Sequence, residues 1–180
     1  MEASRRLSRR ARRDQLVSAA IPLVARHGPA DLSLDDVAQR AGVTRNLLYH
    51  YFPAGRADLV SAVVGEAERQ LVGATGANDL SEAISRVLDH ALAPTHAWRI
   101  HRMAQAFPAA ASQLEATART AIAALRDHTG IGPSPQAEIT LRGFLAYAEA
   151  VLDGARAAGV PRSDVGRMLA QTLRAIVSAA

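Results

Sequence analysis

The sequence predicts an all-α protein, an N-terminal three-helix helix-turn-helix unit followed by a C-terminal helical body, and three observations carry that expectation. Apolar residues recur at i, i+3, i+4 and i+7 in one segment after another, and no stretch alternates apolar and polar residues over the length of a strand. Breaks bearing glycine or proline fall between those segments, at Gly28-Pro29, Gly42, Pro94, Pro108, Gly130 to Pro133 and Gly159 to Pro161. The 180 residues are 49% apolar and 4% aromatic, a composition that suits packed helices rather than a disordered chain.

The chain opens with Arg5, Arg6, Arg9, Arg10, Arg12 and Arg13, and because like charges repel and do not pack, residues 1–11 are expected to form a basic flexible arm. A helix from about Arg12 to His27 follows, with Leu16, Ala19, Ala20, Leu23 and Val24 on one face, Pro22 inside the pattern, and His27 suited to the dipole of the last turn. Ser33 is a good N-cap for the next helix, which has Asp35 and Asp36 in its first turn and Leu34, Val37, Ala38 and Ala41 on its apolar face. Gly42 stands where a helix end needs positive φ, Val43 plugs the corner, and Thr44 caps a short third helix. That helix keeps Leu48 for the core and leaves Thr44, Arg45, Asn46, Tyr49 and His50 largely outside. A small Ala38 at closest approach, a turn glycine at Gly42 and an apolar anchor at Leu48 fit two crossed helices, the second of which reads a major groove.

The charge distribution agrees. Residues 1–60 hold ten arginines against six acids, the whole excess of four, whereas residues 61–180 hold eleven of each. A basic head on a neutral body is suited to a polyanion. Every basic residue is Arg, so the choice of Arg over Lys at one position carries no information.

The run Ala41-Gly42-Val43-Thr44-Arg45-Asn46-Leu47-Leu48-Tyr49-His50-Tyr51-Phe52-Pro53 resembles the DNA-binding signature of the TetR family of transcriptional regulators, closely over residues 12–60. The segment Phe52 to Leu59 is one residue longer than is usual in that family and carries Arg56 where a lysine is common. The resemblance implies double-stranded DNA as partner, a homodimer built through the last two helices, and a body that encloses a small-molecule effector whose binding changes the separation of the two reading heads. The corresponding function is a repressor on a palindromic operator, released by its ligand. Within the third helix Arg45 is the candidate for a bidentate contact to guanine O6 and N7, and Asn46 for adenine N6 and N7. Ser33, Thr44, Tyr49, His50, Tyr51 and Arg56 are candidates for phosphate oxygens, which set register without reading sequence. Leu47 either touches a thymine methyl or packs, and Leu48 and Phe52 belong to the core. Arg5, Arg6, Arg9 and Arg10 are either a solvated tail or an arm along phosphates or in a minor groove.

A fourth helix is expected from Gly55 or Arg56 to Val72, with Leu59, Val60, Val63, Ala67 and Leu71 on one face, then a loop over Gly73 to Asp79. The body helices are expected at Leu80 to Ala93, Thr95 to Phe107, Ala109 to His128, Pro135 to Ala158 and Arg162 to Ala179, which sets the domains at 12–55 for the DNA-binding unit and 56–180 for the effector-binding and dimerisation unit. Gly143, Ala146, Ala150, Gly154 and Ala157 make a small-residue stripe on the penultimate helix, where a second helix can approach closely. Trp98, His101, Arg102 and Gln105 at i, i+3, i+4 and i+7, with Phe144 and Tyr147, are the candidate effector contacts.

Catalysis is not expected. There is no cysteine, no Gly-rich phosphate loop, no nucleophile elbow and no His-Glu-x-x-His; His96 and His101 are five apart, and Glu66 and Glu68 point to different sides of a helix. No cofactor and no metal are expected. No apolar run approaches the roughly 18 residues of a membrane span, and the arginine-rich start lacks the apolar segment of a signal peptide, so the expected location is cytoplasmic. Two other readings use the same residues: an architectural DNA binder with little sequence preference, and a helical small-molecule-binding module.

Overall fold

A computed structural model of the chain describes residues 7–72, 79–92 and 96–178. Among them are nine α-helices and no strand: α1 (Arg9–His27), α2 (Leu34–Ala41), α3 (Arg45–Tyr51), α4 (Arg56–Val72), α5 (Leu80–Leu92), α6 (His96–Ala104), α7 (Ala111–Thr129), α8 (Pro135–Ala158) and α9 (Arg162–Ser178). The all-α class is as the periodicity predicts. Arg5, Arg6, Gly73 to Asn78, Pro94 and Thr95 lie outside the described residues.

Two boundaries differ from the sequence reading, each for a local reason. Helix α1 begins at Arg9 because the Ser8 hydroxyl accepts the Ala11 N–H at 3.1 Å, so Arg9 and Arg10 stand on the first turn of a helix and not in a flexible arm. Helix α6 stops at Ala104, and Phe107 is extended ahead of Pro108, the conformation that a following proline imposes, before a short 3-10 turn leads into α7. Gln105 is therefore not on the helical face assigned to it. Pro22 sits inside α1 without ending it.

The chain forms two compact units. The first comprises residues up to Ala67 together with Arg99–Gln113, and the second comprises Glu68–Trp98 together with Leu114–Ala180. In the first, Leu16, Ala20 and Val24 of α1, Val37 of α2, Leu48 of α3, Phe52, and Leu59, Val60, Val63 and Val64 of α4 are buried. The core of this unit includes the first part of α4. Residues 99–113 join it through tertiary contacts: Gln113 Nε2 donates to the Ser61 hydroxyl at 2.6 Å, and Met103 closes against the end of α1 so tightly that a Cβ on Gly28 would lie 3.2 Å from its methyl.

In the second unit Leu88 and Ala91 of α5, Ile122 of α7, Leu141, Phe144 and Leu152 of α8, and Val165, Leu169 and Leu173 of α9 form the core. Gly166 lets α9 approach α5, for a Cβ there would fall 3.2 Å from a Leu88 methyl. Polar contacts fix the helices at their rims. Trp98 Nε1 donates to Asp153 at 2.9 Å, Arg162 pairs with Asp89 at 2.7 Å, and Arg142 grips Glu115 through two nitrogens at 2.7 and 3.1 Å. The hydrogen bond from Arg142 holds the Glu115 carboxyl below its ordinary pKa.

Candidate nucleic-acid interface

The reading head is assembled by caps. The Ser33 hydroxyl accepts the Asp36 N–H at 3.2 Å and opens α2; at the other end Gly42 takes the left-handed conformation (φ 65°, ψ 38°), and the Val43 N–H reaches back to the Ala38 carbonyl at 3.0 Å. Gln15 of α1 donates to the Ala41 carbonyl at 3.0 Å, which satisfies another acceptor at that end. A Cβ on Gly42 would meet nothing within 4 Å, so the cost of Gly42→Ala is conformational alone. We expect it to destabilise the protein by about 1 kcal/mol, seen as a lowered midpoint in denaturant melts.

Thr44 then caps α3, its hydroxyl accepting the Leu47 N–H at 3.4 Å. Leu48 anchors the helix from below at 1% exposure, and Phe52 follows it into the core. On the outer face Arg45, Asn46, Tyr49 and His50 are exposed, while Leu47 and Tyr51 are half-buried, with the Tyr51 ring edge-on to His50 at 5.2 Å between centroids. The exposed set is the one the sequence reading assigned to the outside.

Beside α3 the chain turns at Gly55 (φ 65°), where a Cβ would crowd the Tyr49 ring at 3.2 Å; the glycine is required both by the turn and by the tyrosine lying over it. Helix α4 is capped from within, its Asp58 carboxylate accepting the Ala54 N–H at 2.7 Å. The Arg56 guanidinium donates to the Ala30 carbonyl. Ser33, Asp35, Arg45, Tyr49, Pro53 and Arg56 together line an open polar hollow of about 530 Å³. Four of the predicted contact residues thus meet in one place, and Thr44, Asn46 and His50 lie along the adjoining exposed face of α3. Of the arm, Arg9 and Arg10 are exposed on α1, with Arg10 near Asp14 at 3.9 Å.

Three contacts are absent from the sequence reading. Arg45 Nη1 bonds Asp35 of α2 at 2.8 Å while Nη2 donates to the Tyr49 hydroxyl at 3.4 Å, and the guanidinium lies 5.8 Å from the Tyr49 ring centroid. The Tyr49 hydrogen bond, then the charge of Asp35, raise the Arg45 pKa above its ordinary value. Arg13 lies over the Phe52 ring at 5.0 Å. No local pattern announces the Arg45–Asp35 or the Arg13–Phe52 pair.

The candidate effector contacts are divided between the two units. Trp98 is buried in the second unit on Asp153, whereas His101, Arg102 and Gln105 belong to the first unit, where Arg102 donates to Gln105 at 2.8 Å. Tyr147 is exposed, its hydroxyl 3.3 Å from that of Thr172. Phe144 alone of the six lines the apolar pocket of the second unit, about 110 Å³ between α5, α7, α8 and α9, with Ile84, Val87, Leu125, Ala148, Leu152 and Leu169 among its walls. His128 closes one side. Its Nδ1 lies 2.7 Å from the Ala124 carbonyl, which can only accept, so that nitrogen carries the proton.

Comparison with known proteins places these features in context. Residues 16–63 match the sequence profile described as bacterial regulatory proteins, tetR family. An HTH-type transcriptional regulator of Mycobacterium tuberculosis, Rv0196, is 34% identical over 67 residues, covering 31% of this chain and 34% of that protein; the match spans about a third of the relative's length. The fold extends further than the sequence match. The crystal structure of a tetR-family transcriptional regulator from Streptomyces coelicolor superposes with a TM-score of 0.75 at 23% identity, covering 96% of this chain and 83% of that one. The multidrug binding protein EbrR, solved in complex with imidazole, gives 0.69 at 22% identity over 89% of this chain and 93% of its own.

Proposed function

We propose that this chain, whose residues 16–63 match the profile described as bacterial regulatory proteins, tetR family, is a dimeric, sequence-specific repressor of that family that occupies a palindromic operator and leaves it when a small molecule binds. The observation that carries the reading is α3 itself: seven residues, anchored by a buried Leu48, that present Arg45, Asn46, Tyr49 and His50 to the outside. Arg45 reads guanine and Asn46 reads adenine, while Ser33, Thr44, Tyr49, His50, Tyr51 and Arg56 bind phosphate oxygens. Arg9 and Arg10, exposed at the start of α1, add phosphate contacts. Two reading heads related by a two-fold axis need half-sites about one helical turn, or a multiple, apart.

The dimer forms through α8 and α9. Gly143, Ala146, Ala150, Gly154 and Ala157 are all exposed along α8, and Ile139 on the same helix is 71% exposed. The effector occupies the apolar pocket of the second unit. Its volume of about 110 Å³ is below the roughly 150 Å³ of a Leu/Ile/Phe-lined cavity that takes benzene, so the pocket as it stands admits a small apolar group and must open for anything larger. EbrR, of the same fold, is complexed with a small ring, imidazole.

Selection of bound duplexes from a random pool at near-physiological salt tests the proposal. A palindrome supports it; binding without enrichment, with a steep salt slope, favours the architectural reading; no binding favours a ligand module. In the same selection Arg45→Ala is expected to relax preference at one symmetric pair of base pairs by about 10- to 100-fold, the discrimination of a good bidentate contact. Equal weakening on all sequences makes Arg45 a phosphate contact instead.

A further inference from the structure

From the bridge between α2 and α3 we infer that Asp35 is a specificity-determining positioning residue: its carboxylate holds the Arg45 guanidinium toward the base edges and away from the phosphates. The inference rests on the reading of Arg45 given above. Asp35 stands in the first turn of α2, where an acid has an ordinary role opposite the helix dipole. Asp36, the next residue, stands in the same turn and can serve that role as well. Asp35 does something further, for its carboxylate crosses to the neighbouring helix and meets Arg45 Nη1 at 2.8 Å.

An exposed ion pair adds little stability, since screening and side-chain entropy offset most of the attraction. This pair is exposed on both sides, with side chains 52% and 66% accessible for Arg45 and Asp35. Its effect is geometric. An arginine has many rotamers, and on a polyanion the nearest strong acceptor for a loose guanidinium is a phosphate, which carries no sequence information. Here the carboxylate claims one nitrogen and the Tyr49 hydroxyl faces another at 3.4 Å, which fixes the plane of the fork from two sides. Five N–H groups serve these two acceptors and leave three, enough for guanine O6 and N7. A carboxylate at the DNA face also repels phosphates, so a complex in which Arg45 abandons Asp35 for the backbone leaves that charge uncompensated. Both effects weaken non-specific binding more than specific binding.

The test uses the full chain and random duplex pools, with wild type, Asp35→Asn, Asp36→Asn, Asp35→Glu and Arg45→Ala selected side by side and their thermal melts compared. Asp36→Asn removes the same charge from the same helix turn. Asp35→Asn is expected to lower the guanine preference at the Arg45 position by about tenfold, to tighten binding to unselected DNA several-fold and to steepen the salt slope. Asp36→Asn should leave the guanine preference in place, and Asp35→Glu should restore part of it. An unchanged preference in Asp35→Asn, or an equal loss in Asp36→Asn, overturns the inference while leaving the Arg45 reading intact. If Arg45→Ala itself leaves the base preference unchanged, the reading falls and the inference with it.

Discussion

Ala150→Arg should yield a folded monomer that no longer holds its operator. Ala150 is exposed at the centre of the α8 stripe, and arginine is a good helix former, so no packing among the described residues resists the change. Two glycines of the stripe make the case for an intermolecular face. Glycine inside a helix costs about 1 kcal/mol relative to alanine, yet a Cβ on Gly143 or Gly154 would meet no atom within 4 Å. Gly166 of α9 is different, for there Leu88 of the same chain explains the missing side chain. In the proposed dimer, Gly143 and Gly154 let a helix from a second copy approach closely. A guanidinium in such a seam is desolvated without a partner, and one arises from each subunit. Loss of the dimer turns a two-headed contact into two independent ones, and the linkage between heads is worth about 10²- to 10⁴-fold in affinity. Sedimentation should report a single chain, and operator affinity should fall by at least about 100-fold, with the melt little changed. A dimer that persists at micromolar concentration would move the interface elsewhere.

The reading head was legible because its signals are local. Ser33, Gly42, Thr44 and Leu48 each act within one turn of where they stand, and the helices begin and end on them. The same holds for α8, which runs from the predicted Pro135 to the predicted Ala158 and closes on a left-handed Gly159. Legibility ends where residues far apart in sequence decide the outcome. Gln113 meets Ser61 within the first unit and Trp98 meets Asp153 within the second, and the division between the units falls inside α4, α6 and α7 rather than at helix ends. The effector candidates are split accordingly, with Trp98, Phe144 and Tyr147 in the second unit and His101, Arg102 and Gln105 in the first. Large and polar side chains drew attention to Trp98, Arg102 and Gln105, which satisfy one another or nearby partners, whereas the pocket is lined by small and aliphatic residues such as Val87 and Ala148 that composition cannot mark. Asp35 was read correctly as a first-turn acid and incompletely as a side chain, because ten residues and a turn separate it from Arg45.

Phe52→Ala is expected to unfold the head while the chemistry of its outer face is untouched. Phe52 ends α3 by returning its N–H to the Leu48 carbonyl at 2.9 Å, and its own carbonyl accepts the Gly55 N–H at 2.8 Å, so the residue joins the reading helix to the turn before α4. Its ring is 1% exposed, and Arg13 of α1 lies across it. Truncation leaves a cavity that the surrounding helices fill only in part, at about 3–5 kcal/mol. That is a large share of the 5–15 kcal/mol or so that holds a domain together. The melting temperature should drop by roughly 10–20 °C, and specific DNA binding should be lost at temperatures where wild type binds. Phe52→Leu, which keeps an apolar anchor, should retain binding at a cost of about 1–2 kcal/mol. Tyr49→Phe supplies the opposite dissociation, since it removes only an outer hydroxyl: the melt should hold while DNA affinity falls. If Phe52→Ala instead kept the wild-type melt and lost DNA binding, the ring would have to act at the DNA itself, which its burial beneath Arg13 makes the less economical account.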